Sequence, residues 1–126
     1  RIIDYKTGGD IKKVKDLDSI FSLERKDRNN AIFQLLFYSL LLNEKKQNSL
    51  PILPGLLNIR EMSSKKFKIN IEIQKEIIED VNRYLKEFAI LLSNKISEVF
   101  DKEKQFIQTE DSEICKYCSY KNLCFK

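Results

Sequence analysis

The segment that most constrains this sequence is residues 31–42, AIFQLLFYSLLL, which is apolar on almost every side. Two asparagines precede it and can cap a helix at its start, so the segment predicts an α-helix. A helix with so few polar positions is buried on most of its faces and needs other elements packed around it. Glycine (3) and proline (2) are too scarce for a turn-rich all-β fold. We therefore expect this helix at the centre of a layered α/β domain.

The other predicted elements supply the layers around that helix. In chain order, we expect a strand over residues 2–6, a short helix around 17–21, the helix over 31–42, a strand over 55–61, a half-buried strand or extended arm over 67–73, one long helix from about 74 to 101, and a short element over 105–109. Period-2 alternation predicts the segment over 67–73, and 3.6-residue spacing predicts the long helix. The expected fold is α/β, a small mixed sheet flanked by helices.

Composition excludes several kinds of chemistry. The sequence has no histidine, which excludes histidine–metal sites and catalysis by Ser–His or Cys–His pairs. A formal net charge of +4 permits a nucleic-acid partner without demanding one, since a lysine-rich solvated surface has the same composition. No apolar run is long enough to span a bilayer, so no membrane partner is expected.

Asp4 and Lys6 form the first candidate site. Residues two apart on a strand project from the same face, so the two side chains are expected to lie together. Metal-dependent phosphodiester cleavage uses carboxylates to hold Mg²⁺ and profits from a cation near the phosphate. An acidic residue two before a lysine occurs four times, but only this pair ends an apolar strand that runs into a glycine turn. The alternative is a surface ion pair at a strand end.

Gln34 and Tyr38 are the second candidate pair. They are four residues apart, so they share one face of the predicted apolar helix. Buried polar groups need partners, and a lysine, a carboxylate or a phosphate would provide them. The alternative is that Tyr38 belongs to the core with its hydroxyl at an edge, and that Gln34 caps a backbone group.

All three cysteines lie near the end of the sequence, at Cys115, Cys118 and Cys124. An odd number of cysteines cannot pair completely as disulfides, and this clustering suggests a metal site in a reducing compartment. Three cysteines and one outside ligand can hold zinc in tetrahedral geometry. The alternative is three reduced thiols without metal.

These motifs together resemble the PD-(D/E)XK nuclease superfamily, and most closely its RecB- and AddB-like exonuclease branch. The resemblance is carried by IIDYKTG (residues 2–8), FQLLFY (residues 33–38) and C-x2-C-x5-C, in the order of that family. It implies a restriction-endonuclease-like fold in which Asp4 binds Mg²⁺ or Mn²⁺ with help from the Tyr5 carbonyl. It further implies that Lys6 positions water or stabilises phosphate charge. Gln34 and Tyr38 would orient Lys6 or hold the DNA backbone.

The resemblance also implies a parent protein. Residues 1–126 would be the C-terminal part of one nuclease domain, with an α/β core over 1–109 and a cysteine tail over 110–126. The parent would be a cytoplasmic, Mg²⁺-dependent DNA exonuclease in a helicase–nuclease that repairs double-strand breaks with a partner subunit. Alternatives are an inactive DNA-binding or subunit-docking module and a CRISPR-associated Fe–S exonuclease.

Two features of that family have no counterpart in the printed sequence. Family members carry a second metal-binding aspartate on a strand before the one that matches Asp4, and only three residues precede Asp4 here. The cysteine triplet would join a fourth, upstream cysteine around a 4Fe-4S cluster. We therefore expect these 126 residues alone to be inactive and to lack the cluster.

Overall fold

The computed structural model describes residues 1–22, 28–45, 50–65, 67–105, 107–109 and 112–125. Its elements, in chain order, are β1 (Ile2–Lys6), β2 (Lys13–Val14), α1 (Leu17–Ile20), α2 (Asn30–Lys45), β3 (Pro54–Asn58), a 3₁₀ turn (Ile59–Glu61), β4 (Glu72–Ile73), β5 (Glu76–Ile77), α3 (Asn82–Phe100), α4 (Ser112–Lys116) and a last 3₁₀ turn (Lys121–Cys124). The chain divides into two units, Arg1–Ile96 and Ser97–Lys126. No helix among these residues is long and apolar enough to cross a membrane.

Strands β1 and β3 form a parallel pair in which Ile2 lies opposite Pro54 and Lys6 lies opposite Asn58. Parallel strands need a long crossover connection, which α1 and α2 supply here. The pairing brings the carboxyl ends of both strands to one edge. The strand predicted over residues 2–6 is confirmed, whereas the one predicted over 55–61 ends at Asn58 and continues as the 3₁₀ turn.

Helix α2 forms where the apolar segment predicts it and continues to Lys45. Its start is capped by Asn29, whose Oδ1 accepts a hydrogen bond from the Ile32 N–H at 3.0 Å. The helix packs against β1 and β3, and its side chains enter a core that is shared with the strands and with α3. Fully buried members of this core include Ile32, Leu35, Leu36, Leu56, Ile71, Ile73, Val81 and Phe88.

The sheet architecture differs from the expected one. Among the described residues there are two short sheets, the parallel β1–β3 pair and a mixed sheet in the order β2–β4–β5. Residues 67–73 alternate in burial as predicted, yet only Glu72–Ile73 pair as a strand. The rest of this segment is the extended arm, and its Ile69 carbonyl accepts a 2.7 Å hydrogen bond from the Leu56 N–H.

The long helix predicted from about residue 74 is wrong over its first two turns. Gln74 and Lys75 have φ values of 55° and 67°, and they form the tight turn that joins β4 to β5. Positive φ at both central residues matches the twist of a two-residue hairpin and cannot continue into a helix. Helix α3 therefore begins only at Asn82. The short element predicted over 105–109 includes residue 106, which lies outside the described part of the chain, and 107–109 are irregular.

Candidate active site

Asp4 and Lys6 lie on the same face of β1, as their spacing in a strand requires. The Lys6 Nζ is 3.1 Å from the Asp4 Oδ2, and the two side chains are only 23% and 18% exposed. Tyr5 lies between them in sequence, projects from the opposite face and is 65% exposed. The pair is therefore a half-buried ion pair, which differs from the fully exposed one that a surface strand end would carry.

Gln34 reaches this pair from helix α2. Its Oε1 accepts a hydrogen bond from the Lys6 Nζ at 2.5 Å, across 28 positions of sequence. An ammonium donates strongly to an amide oxygen because the donor is charged. The structure thus brings together Asp4, Lys6 and Gln34, three of the residues that the sequence singles out.

Tyr38 lies one helical turn beyond Gln34 in more open surroundings. It is 46% exposed, and its ring is tilted against that of Phe37 with centroids 6.5 Å apart. Its hydroxyl has no hydrogen-bond partner among the described residues. The structure therefore does not join Tyr38 to Lys6, and it leaves the phenol accessible from solvent.

One oxygen of Asp4 has the surroundings that a cation ligand needs. Asp4 Oδ2 is buried and lacks a hydrogen-bond partner within the described residues, because the nearby ammonium forms an ion pair without hydrogen-bond geometry. A buried carboxylate oxygen left in this way fits a hard cation such as Mg²⁺. No three or more Cys, Asp or Glu side chains of the described chain gather into a metal site. Asp4 could therefore supply one protein ligand to such a cation, and waters and phosphate oxygens would have to complete the coordination shell.

A second polar network lies at the same edge of the sheet and was not foreseen from the sequence. Asn58 donates through Nδ2 to the Asp10 carbonyl and to Glu61 Oε1, both at 2.9 Å. The Lys12 Nζ lies 2.6 Å from the Glu61 Oε2 and donates to the Lys68 carbonyl at 2.5 Å. The available signal was Asn58 itself, a polar residue directly after Leu56 and Leu57 in an apolar strand.

The charge of Glu61 is favoured by this network. The hydrogen bond from Lys12, followed by that from Asn58, holds the pKa of the Glu61 carboxyl below its usual range. Partial removal of the Glu61 carboxyl from water raises its pKa, but this effect is smaller than that of either hydrogen bond. The ionised carboxylate of Glu61, which accepts hydrogen bonds from both neighbours, is therefore the favoured form in the folded protein.

The cysteines lie in the second unit, Ser97–Lys126. Cys115 lies in α4 and its carbonyl accepts from the Cys118 N–H at 3.1 Å, while the Cys118 Sγ accepts from the Tyr120 N–H at 3.4 Å. All three cysteines, including Cys124, are free and partly exposed. In the described part of this unit they do not converge on one metal position.

Comparison with known proteins gives one match. The sequence profile of the PD-(D/E)XK nuclease superfamily matches residues 1–125, which includes both the strand–helix site and the cysteines. No curated protein and no solved structure matches the chain.

Proposed function

This chain belongs to the PD-(D/E)XK nuclease superfamily, and from that premise we propose that it hydrolyses phosphodiester bonds of DNA at the Asp4–Lys6 site with the help of a divalent metal. The observation that supports this site most directly is the half-buried Lys6 ammonium, which lies between Asp4 Oδ2 and Gln34 Oε1. Asp4 Oδ2 is buried, and apart from this ion pair it has no hydrogen-bond partner among the described residues, which supports a cation ligand at this oxygen.

Each of these residues has a distinct task in the proposed reaction. Asp4 and the Tyr5 carbonyl would hold Mg²⁺ or Mn²⁺, which when bound lowers the pKa of a water and neutralises phosphate charge. Lys6 directs its positive charge to the place where negative charge develops on the phosphate. Gln34 fixes the ammonium through its hydrogen bond. Tyr38, which is accessible and has a free hydroxyl, donates to the DNA backbone.

The finer assignment is an exonuclease domain of the AddB or RecB type, in a cytoplasmic helicase–nuclease that processes double-strand breaks with a partner subunit. It is supported by the order of the three motifs along the chain. Residues 1–109 would be the α/β core and 110–126 the cysteine tail. In this assignment Cys115, Cys118 and Cys124 ligate a 4Fe-4S cluster together with a thiolate from elsewhere in the protein, and zinc is the competing metal.

A second candidate is a DNA-binding or subunit-docking module that has the same fold but no catalysis. It is favoured by one observation: within the described residues, no group of three or more Cys, Asp or Glu side chains forms a metal site that includes Asp4. A site with one carboxylate depends heavily on waters and phosphate to hold a metal.

Lys6→Ala in the full-length protein separates the two candidates. With Mg²⁺ or Mn²⁺ present, we expect the wild type to degrade DNA and Lys6→Ala to lose cleavage while it retains DNA binding, because the lost charge acts on the transition state. Lys86→Ala, which removes an exposed lysine of α3, is the matched control and keeps full activity. Full cleavage by Lys6→Ala would reject the site, and a wild type that binds DNA without cleaving it would favour the module.

A further inference from the structure

Asn58 is a fully buried polar residue at the end of strand β3. It lies directly opposite Lys6 in the parallel register. Side chains at paired positions of neighbouring strands project from the same face of the sheet, so Asn58 shares the face that carries Lys6 and Asp4.

The orientation of the Asn58 amide is fixed by its donor side. Both N–H groups of Nδ2 are used, one on the Asp10 carbonyl and one on Glu61 Oε1, each at 2.9 Å. The opposite orientation would place the amide oxygen against those two acceptors, so this assignment is unambiguous. As a result Oδ1 is turned away from Asp10 and Glu61, where it is buried and has no hydrogen-bond partner among the described residues.

The Lys6 ammonium has a donor to match that acceptor. Of its three N–H groups, one goes to Gln34 Oε1, and Asp4 Oδ2 lies 3.1 Å away on another side. Direct contact with Asn58 Oδ1 is absent among the described hydrogen bonds, although the two residues are register partners. Asn58 Oδ1 has almost no solvent-accessible surface, so a direct hydrogen bond from a reoriented Lys6 ammonium, with no water between them, would satisfy both groups.

We propose that Asn58 is a positioning residue for Lys6: the Asn58 Oδ1 accepts one N–H of the ammonium when the Lys6 side chain turns toward β3. This role rests on the nuclease function proposed above. Gln34 and Asn58 then fix the ammonium from the helix and from the neighbouring strand. The third N–H stays on the Asp4 side, where a phosphate oxygen of the substrate would lie.

Asn58→Ala in the full-length protein tests this role by its effect on turnover. We expect kcat to fall about tenfold or more while KM stays within about twofold of the wild type. The reason is that a misplaced ammonium stabilises the transition state less, whereas DNA binding changes little. Glu61→Gln is the matched control, since its Oε1 still accepts from Asn58 and Oδ1 keeps its direction. We expect its kcat within about twofold of the wild type, whatever it loses in stability.

Asn58→Leu is the second variant. It removes Oδ1 and keeps most of the side-chain volume, so it decides the case if Asn58→Ala does not fold, and we expect the same fall in kcat. Wild-type turnover in a folded Asn58→Ala or Asn58→Leu, or an equal loss in Glu61→Gln, would each overturn the role.

A second readout is independent of cleavage and separates this role from the nuclease function itself. The Lys6 ammonium protons can be followed by NMR, with assignment from the signal that Lys6→Ala loses. We expect solvent exchange of these protons to be at least about threefold faster in Asn58→Ala and unchanged in Glu61→Gln. If the wild type does not cleave DNA, the nuclease function fails, and an unchanged exchange rate in Asn58→Ala rejects the positioning role separately.

Discussion

Gln34 and Tyr38 share one face of α2 but have different surroundings. Four helical residues separate them by about 6 Å along the axis. Gln34 accepts from Lys6 at 2.5 Å, whereas Tyr38 is 46% exposed and its hydroxyl is free of hydrogen bonds to described residues. The Q-x-x-x-Y pattern therefore combines one residue that contacts Lys6 with one whose side chain is open to solvent.

This difference predicts separate kinetic effects for the two residues. Gln34→Ala removes a hydrogen bond to a charged donor, so we expect kcat to fall about tenfold with little change in KM. Tyr38→Phe removes only the accessible hydroxyl, so we expect KM for DNA to rise about threefold to tenfold with kcat nearly unchanged. Steady-state kinetics on one DNA substrate would measure both. An effect of Tyr38→Phe confined to kcat would contradict a role in holding the DNA backbone.

At the same scale, spacing along the chain shows which contacts could be foreseen. Asp4 and Lys6 are two apart on a strand, so their shared face follows from strand geometry alone. The Lys6–Gln34 contact spans 28 positions, and the motif resemblance was needed to expect it. Asn58 could not be paired with Lys6 from sequence, because that requires the β1–β3 register.

At the scale of elements, the apolar helix was the easiest to predict and the start of α3 the hardest. Residues 31–42 form a long, nearly uninterrupted apolar run after two asparagines, and such a run predicts a buried helix. Ile77, Ile78 and Val81 also fit helical spacing, yet Ile77 is half exposed in β5 and Ile78 donates to the Ile71 carbonyl of the arm. Gln74 and Lys75 adopt positive φ without being glycine or asparagine, so their turn left no signal in the sequence.

The network around Glu61 links three segments and predicts a pH effect on stability. It connects the 3₁₀ turn after β3 to the loop after β1 and, through Lys12, to the extended arm. The pKa of Glu61 is lowered in the folded protein, chiefly by Lys12, so folding favours its ionised form. This contribution is fully present above the pKa of an unfolded glutamate, about 4.3. It is lost as the pH falls through the lower folded-state value.

We therefore expect Glu61→Gln to unfold at a lower urea concentration than the wild type at neutral pH, with the difference vanishing in strong acid. The expected difference is small, because the Glu61 side chain is 44% exposed and solvent screens the pair. Urea midpoints across a pH series measure it. If the difference in urea midpoint stayed the same at pH values below the pKa of glutamate, the effect of Glu61→Gln would come from side-chain packing and not from the lost charge.

At the scale of the whole molecule, the two units divide the chemistry. Arg1–Ile96 contains the core and the Asp4–Lys6 site, while Ser97–Lys126 contains all three cysteines. The superfamily profile covers 1–125 and so extends through both. The core could be anticipated from apolar patterning, but the state of the cysteines depends on ligands and metal that patterning does not encode.

The cysteine tail gives the prediction that concerns the whole protein. Cys118 already accepts a hydrogen bond from the Tyr120 N–H, an arrangement that stabilises negative charge on sulfur and suits a thiolate ligand. After anaerobic purification of the full-length protein, we expect a brown colour, broad visible absorption and bound iron. All three should be lost in Cys118→Ser and kept in Ser119→Ala, which changes the exposed neighbouring residue.

Two other results would change the assignment of the cysteine tail. Bound zinc without iron would indicate a tetrahedral zinc site in place of the cluster. Absence of both metals would leave the cysteines as free thiols and would remove one of the three motifs that support the helicase–nuclease assignment. The Asp4–Lys6 site would be unaffected, because its support comes from the first unit alone.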